Sequence, residues 1–235
     1  MSTELALLSN DLQEQLKKID LKSFSLSSFN KETADNLFDA LRIAGLRSKL
    51  KSIIEDANVL NLLCSLQNSN IGFKTDNLSG YPKNVLKEII IDAFMIGLMP
   101  TGNQFNIIRE KLYITLEGYE ALVLPNLDKN SFKFVFEEVS STNEHSYYKL
   151  KGSYSINGTN YETPAFKVML PNKKIVSSAI ESKLRRKILK EIYRTHFVNV
   201  GINPPDIDPD DMEKIQQLNK HIPETKEYSF ISGEK

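Results

Sequence analysis

The sequence contains one cysteine, no long apolar run and no net charge, with 30 basic and 30 acidic residues among 235. The single thiol, Cys64, excludes an internal disulfide framework and, within an apolar helical run, indicates a small buried hydrophobe in a reducing compartment. The run Ile89-Ile90-Ile91 ends at Asp92, far short of the ~20 apolar residues of a membrane span. No basic segment precedes an apolar stretch near Met1, so no secretory signal is expected. These absences predict a cytoplasmic protein without membrane attachment.

The common motifs of enzyme sites are also missing. The chain has neither a G-x-x-x-x-G-K-[ST] phosphate loop nor a G-x-S-x-G nucleophile motif. His145, His196 and His221 are scattered, without metal-site spacing. The acidic string from Asp206 to Asp211 lacks the glycine and the distal glutamate of a calcium loop, and Asp-Pro steps are usual in exposed turns. We therefore expect a non-enzyme without cofactor or metal, and keep a metal-dependent enzyme using this string as the minor alternative.

The zero net charge conceals a strong segregation of charge along the chain. From Lys173 to Arg194 there are eight basic and two acidic residues, a balance of +6. From Asn203 to Lys235 there are eight acidic and four basic residues, a balance of −4. Such segregation creates a local field that the total does not reveal.

Apolar periodicity predicts helices over the first part of the chain. Leucines and isoleucines recur at helical spacing from Leu5 to Ile19, and two or three further segments are expected between Thr33 and Leu63, with a break at Gly45. Pro82 fits the first turn of another helix, which is expected to end at Gly97.

After Pro100 the pattern changes to short alternating strands. Asn157-Gly158 predicts a tight hairpin turn, and Thr115 is expected to cap a helix that ends before Pro125. The predicted strands are Gln104–Ile108, Leu112–Thr115, Phe132–Val139, Tyr147–Ile156 and Tyr161–Leu170. The expected fold is α+β: a helical region (1–80), a core (81–200) with an antiparallel sheet of about five strands and a long basic helix packed on it, and an acidic tail (201–235).

The basic helix, about Ile180 to Phe197, is the first candidate functional feature. Ile180, Leu184, Ile188 and Ile192 form an apolar ridge at i+4 spacing. Arg185 falls on the apolar side, where it either extends to solvent or lines a groove between helix and sheet. The cations expected on the opposite face are Lys183, Arg186, Lys187, Lys190 and Arg194. Neighbouring cations would lie roughly 5–6 Å apart, a spacing suited to successive phosphates. A solvated charged face is the plainer interpretation of this pattern alone.

A second cluster runs from Gly97 to Tyr119. A helix is expected to stop at Gly97, Gly102 permits a close backbone approach, and polar Asn103 and Gln104 open a strand. In isolation this segment fits an ordinary helix-to-strand connection. The nearby aromatic residues are candidates for base stacking, although core packing is the default for most of them. Of Tyr147 and its neighbour Tyr148, at most one can face the core.

Together the two clusters resemble the RecT/Redβ family of phage single-strand annealing proteins. Gly97-Leu98-Met99-Pro100, a hairpin and Glu117-Gly118-Tyr119 match one family element, and Lys183-Leu184-Arg185-Arg186-Lys187 through Arg194 matches the basic helix that follows the family's sheet. The order and separation of the clusters agree as well. The resemblance covers roughly Pro82 to Val200.

The resemblance implies annealing of complementary DNA strands without ATP, rings or helical filaments of identical subunits, and DNA in a basic groove between sheet and helices. It also implies a phage exonuclease and a host single-strand-binding protein as partners, in a bacterial cytoplasm. By match, Arg185, Lys187 and Arg194 contact the DNA backbone, with Arg186 and Lys190 as neighbours and Asn103 beside the groove. Gln104, Lys111 and Lys183 complete the candidate DNA-binding set.

The resulting hypothesis is an annealing protein for single-stranded DNA in phage or prophage recombination, which holds both bare strands and the annealed duplex intermediate. A nucleic-acid-binding accessory protein without annealing activity is the main alternative, and a metal-dependent phage nuclease is the lesser one. The helical N-terminal region is the expected site of subunit contacts, and the acidic tail is expected to bind a partner or to shield the cations.

Overall fold

Three helices form the first part of the structure, a computed structural model that describes residues 37–171 and 177–197. They are α1 (Leu37–Ile54), α2 (Ala57–Ser65) and α3 (Lys83–Met95). The helix expected from Leu5 to Ile19 and the acidic tail lie outside the described residues.

Helix α1 runs through Gly45 without interruption, so the break expected there is wrong. A glycine costs an exposed helix only about 1 kcal/mol, and burial of Leu50, Ile53 and Ile54 near the end of α1 offsets that cost. The actual break comes at Asp56. Its carboxylate caps α2 by accepting hydrogen bonds from the backbone N–H groups of Asn58 and Val59, at 2.9 and 3.3 Å.

Helix α3 carries the centre of the first core layer. It begins directly after Pro82, as predicted, and its buried residues are Leu86, Ile89, Ile90, Ile91, Ala93 and Met95. Arg47 of α1 reaches both Glu88, at 3.0 Å, and Asp92 on α3. Ion pairs and apolar burial therefore join α1 to α3.

A short hairpin and a capped helix follow. Strands β1 (Phe105–Ile108) and β2 (Lys111–Ile114) pair antiparallel through a turn at Arg109 and Glu110. Helix α4 (Leu116–Val123) begins at Thr115, whose hydroxyl accepts a hydrogen bond from Gly118 N at 3.1 Å. The predicted hairpin and helix cap are both confirmed.

The second sheet is built around one long strand. Strand β4 (His145–Ile156) pairs antiparallel with β3 (Lys133–Ser141), β5 (Thr159–Glu162) and β6 (Phe166–Pro171). The β4–β5 hairpin turns at Asn157 and Gly158, both at positive φ, as the dipeptide predicted.

The expected sheet of about five strands is thus divided, within the described residues, into a two-stranded and a four-stranded sheet. The expected strand Tyr161–Leu170 is divided as well, because Pro164 has no N–H to continue the ladder. Thr163 spans the interruption: its hydroxyl accepts from Gly152 N at 2.8 Å, and its N–H donates to Gly152 O at 2.9 Å.

Helix α5 (Ser177–His196) covers one face of the four-stranded sheet and completes an α+β fold. Its buried residues join those of α3, the hairpin and the sheet in one hydrophobic core. Among the described helices, none combines the length and apolarity that crossing a membrane requires.

Candidate nucleic-acid interface

The inner face of α5 is fixed by complete burial. Leu184, Ile188, Leu189 and Ile192 are fully buried, and Tyr193 is nearly so. Opposite Ile188 the sheet presents Gly152, where a Cβ would lie 2.6 Å from Ile188 Cγ2. The glycine therefore allows the helix to approach the sheet backbone closely. This contact determines which side of α5 faces outward.

Four cations occupy the outward side. At about 100° per residue, Lys183, Lys187, Lys190 and Arg194 fall within an arc of about 60°, centred opposite the buried residues. The three lysines are half-buried and Arg194 is exposed. We call these four residues the outward row. Over the whole of Ser177–His196 six basic residues outnumber two acidic ones, a balance of +4, and four of the six belong to the outward row.

Arg185 projects into the fold. Its Nε donates a hydrogen bond to Glu120 Oε1 at 2.7 Å, and the guanidinium lies 5.2 Å from the ring centre of Phe132 and 5.9 Å from that of Phe134. Of the two positions expected for it, Arg185 takes the one between helix and sheet. The ion pair with Glu120 neutralises much of the charge that a phosphate would meet.

Arg186 lies at the border of the buried side, which corrects its expected place in the outward row. Its Nε donates to Ile114 O at 3.1 Å, and its guanidinium lies over the ring of Tyr113 at 4.4 Å and near that of Tyr119 at 5.8 Å. A cation against aromatic faces gains electrostatic stabilisation. Arg186 therefore ties α5 to the end of β2 and to α4.

Two buried tyrosines lie beside these arginines. Tyr119 and Tyr193 meet edge to face, with ring centres 5.9 Å apart. Burial raises the pKa of Tyr119 to about 12, against the opposing effect of the positive charges of Arg186 and Arg194. Burial likewise raises the pKa of Tyr193 to about 12. Both hydroxyls stay protonated at neutral pH, so they cannot neutralise the cations around them.

Gln104 connects the two ends of the Gly97-to-Tyr119 cluster. Its side-chain oxygen accepts from Met99 N at 2.8 Å, and its backbone carbonyl accepts from Thr115 N at 3.2 Å. The same carbonyl would lie 1.9 Å from a Cβ added at Gly118. Gln104, predicted to contact DNA, thus has its side chain engaged in holding this junction together.

Asn103 lies at the same junction with a left-handed backbone, φ 53°. Its carbonyl accepts from the Thr115 hydroxyl at 2.5 Å, and its Nδ2 donates to Glu117 Oε2 at 3.4 Å. Its Oδ1 is buried without a hydrogen-bond partner in the described part of the chain. Since Thr115 directly follows Ile114, which Arg186 contacts, Asn103 and Arg186 flank the same end of the hairpin.

Lys111 stands at the opposite end of β2, three residues and so about 10 Å from Ile114. It follows a turn in which Arg109 and Glu110 both adopt positive φ, 51° and 58°. Asp76 Oδ2 accepts from Arg109 N at 3.0 Å, and the Tyr81 hydroxyl accepts from Glu110 N at 3.2 Å. Lys111 is exposed but does not share the junction with Asn103.

The bracing of this turn was not predicted from the sequence. The Tyr81 hydroxyl donates to Asp76 Oδ1 at 2.6 Å, so the two side chains act as a unit. Tyr81 lies 29 residues before the Glu110 amide that it binds, and Asp76 lies 33 residues before the Arg109 amide. No local pattern marks such a pair, although positive φ at two non-glycine residues requires support from outside the turn.

The aromatic residues of the region serve mainly as core, as expected. Phe105, Tyr113, Tyr119 and Tyr154 are buried. Of the adjacent pair in β4, Tyr148 is buried and Tyr147 half-buried, so only one of the two faces the core.

The described residues contain no cluster of three or more histidine, cysteine, aspartate or glutamate side chains suited to a metal ion. The acidic string from Asp206 to Asp211 lies outside them. No protein-family model, no curated protein and no solved structure matches the chain.

Proposed function

We propose that the protein binds the backbone of single-stranded DNA through the outward row of α5 and promotes pairing of complementary strands without ATP. The observation that carries the proposal is the placement of Lys183, Lys187, Lys190 and Arg194 on one outward arc of a helix whose other side is buried in the core. A rigidly seated row of cations can bind phosphates without first ordering a flexible segment.

Annealing needs no catalytic residue under this proposal. Cations that neutralise phosphates reduce the repulsion between two strands and leave the base edges free to pair, so base pairing supplies the specificity. Each engaged cation also releases counterions, which makes binding salt-sensitive. As in the RecT/Redβ family, the proposal includes assembly into rings or filaments and cooperation with a phage exonuclease and a host single-strand-binding protein.

The structure changes the relative weight of the proposed contacts. Arg185 and Arg186 are engaged with Glu120 and Ile114, so we assign them to holding α5 in place. Asn103 remains in the proposed set through its Nδ2, the donor group that a phosphate needs, which donates to Glu117 Oε2 at a long 3.4 Å. Lys111 is a more distant contact, which the bound DNA reaches only if it runs along β2.

The decisive experiment mixes two complementary oligonucleotides, one with a fluorophore and one with a quencher, in EDTA and without nucleotide. The proposal predicts faster pairing in the presence of the protein. Binding without faster pairing would favour the non-annealing accessory protein. Cleavage that appears only on addition of magnesium would favour the nuclease.

A double variant, Lys187→Ala with Arg194→Ala, tests the outward row. Its matched control is Lys49→Ala with Lys129→Ala, which removes two exposed cations elsewhere. For single strands the slope of log K against log salt is about −0.7 per neutralised phosphate, so the α5 variant should lose about 1.4 of slope and the control none. Fluorescence anisotropy with labelled oligo(dT) measures both. If the α5 variant and the control variant have the same affinity at low salt and the same salt slope, the outward row is not part of the interface.

A further inference from the structure

The four-stranded sheet has a second face, opposite the one that α5 covers. Side chains alternate along a strand, so Tyr148, Leu150, Gly152 and Tyr154 of β4 share the inner face, which includes the contact between Gly152 and Ile188. The other set of β4 residues, from Tyr147 to Ser153, therefore points away from α5. We call this second side the outer sheet face.

Two lysines lie directly opposite each other on the outer sheet face. Lys149 of β4 pairs with Lys167 of β6 in the strand register, and both are exposed. Like charges at directly opposed positions destabilise a sheet. Glu137 of β3 is the register partner of Lys149 on its other side, but no ion pair joins them in the described part of the chain. The local charge favours an anion.

Further cations surround this pair. Lys151 lies two residues along β4, about 7 Å from Lys149, and forms an ion pair with Glu162 at 2.5 Å. Lys133 of β3 stands opposite Ser153 in the register and is exposed. With Glu137 and Glu162 as the acidic members, four lysines against two carboxylates leave the outer sheet face at +2.

Exposed apolar side chains accompany the lysines. Val135, the register partner of Lys151, is 67 % exposed. Met169, the register partner of half-buried Tyr147, is 47 % exposed. A surface that combines cations with exposed apolar and aromatic groups fits a ligand with anionic groups and flat apolar faces. Single-stranded nucleic acid has both, as phosphates and unpaired bases, whereas a duplex buries its base faces.

From these observations we infer that the outer sheet face is a second binding surface for single-stranded nucleic acid, centred on Lys149 and Lys167. The sheet and α5 lie between this face and the outward row, so a strand in contact with one cannot touch the other at the same place. The inference goes beyond the proposed function and stands or fails separately from it.

The substitution Lys167→Glu provides a test in which stability and binding change in opposite directions. It replaces a repelling pair by an attractive one, so the thermal unfolding midpoint should stay the same or rise. Binding of labelled oligo(dT) should weaken several-fold at low salt, with a loss of at least about 0.7 in the salt slope. Lys129→Glu, in the loop before β3, is the matched charge reversal and should leave both quantities unchanged.

Photocrosslinking separates this surface from the outward row. An oligonucleotide containing 4-thiothymidine should crosslink to a peptide that includes Tyr147 or Met169. That crosslink should persist in the variant Lys187→Ala with Arg194→Ala and be lost in Lys167→Glu. The inference would be overturned if Lys167→Glu and Lys129→Glu bound oligo(dT) equally well. Crosslinks confined to α5 would overturn it too. The inference would also be overturned if Lys167→Glu weakened binding to phosphatidylserine vesicles but not to oligo(dT). The outer sheet face would then be a lipid-binding surface.

Discussion

Replacing Gly118 by alanine should destabilise the protein, although Gly118 lies in helix α4, where alanine is the better helix former. An added Cβ would lie 1.9 Å from Gln104 O and 2.8 Å from Ile114 Cγ2. Contacts below 3.0 Å are not tolerated, so α4 and the start of β1 must separate by about 1 Å. The hydrogen bond from Thr115 N to that same carbonyl, now 3.2 Å, would be stretched.

The magnitude follows from three contributions. Overpacking a well-packed site costs about 1–3 kcal/mol, and loss of a backbone hydrogen bond costs about 0.5–1.5 kcal/mol. Alanine returns up to about 1 kcal/mol of helix propensity. The net loss is about 2 kcal/mol, which corresponds to a fall of roughly 4–8 °C in Tm for a chain of this size.

Gly45→Ala is the matched control, because Gly45 lies inside α1 with nothing within 4 Å of its Cβ position. The same chemical change should raise stability there by about 0.5–1 kcal/mol. Urea unfolding followed by circular dichroism at 222 nm measures both variants without a tryptophan, which the chain lacks. If Gly118→Ala is as stable as the parent protein, the close approach of α4 to β1 is refuted.

Two other perturbations test the surroundings of α5. Arg186→Met removes the hydrogen bond to Ile114 O and the contact with the Tyr113 ring. It should lower the free energy of unfolding, measured in urea, by about 1–3 kcal/mol. The control Arg194→Met, at an exposed position, should change that free energy by less than about 0.5 kcal/mol. Because the pKa values of Tyr119 and Tyr193 rise from 10.0 to about 12 on folding, the folded state binds more protons than the unfolded state between these values. The stability that comes from these raised pKa values is complete below pH 10 and is lost as the pH rises towards 12. Between pH 9 and pH 11 the free energy of unfolding should therefore fall less in Tyr119→Phe than in the parent protein. An equal fall in the two proteins would contradict the raised pKa of Tyr119.

Patterns confined to a short segment predicted the corresponding elements well. Thr115 caps α4, and Asn157-Gly158 forms the turn between β4 and β5. In both cases the deciding interactions join residues only a few positions apart. The break expected at Gly45 failed because the helix there is stabilised by core residues further along α1, and the missing side chain by itself does not end a helix.

The division of the sheet illustrates a different limit. The alternation from Tyr161 to Leu170 correctly indicated extended chain, and Pro164 was visible within it. How the chain crosses the interruption depends on Thr163, whose hydroxyl and N–H both bind Gly152. That interaction arises from the register of two strands, which the sequence does not specify.

By itself the sequence determined that α5 is amphipathic and that most of its cations share one side, because helical periodicity is local and requires no partner. Only the tertiary structure decided that Arg185 and Arg186 are held by other parts of the fold. Arg185 and Arg186 bind Glu120 and Ile114, which lie 65 and 72 residues away in the chain. A helical pattern places a side chain on a face, but the atoms that meet it there come from distant segments, and they determine whether its charge is neutralised within the fold or exposed to a ligand.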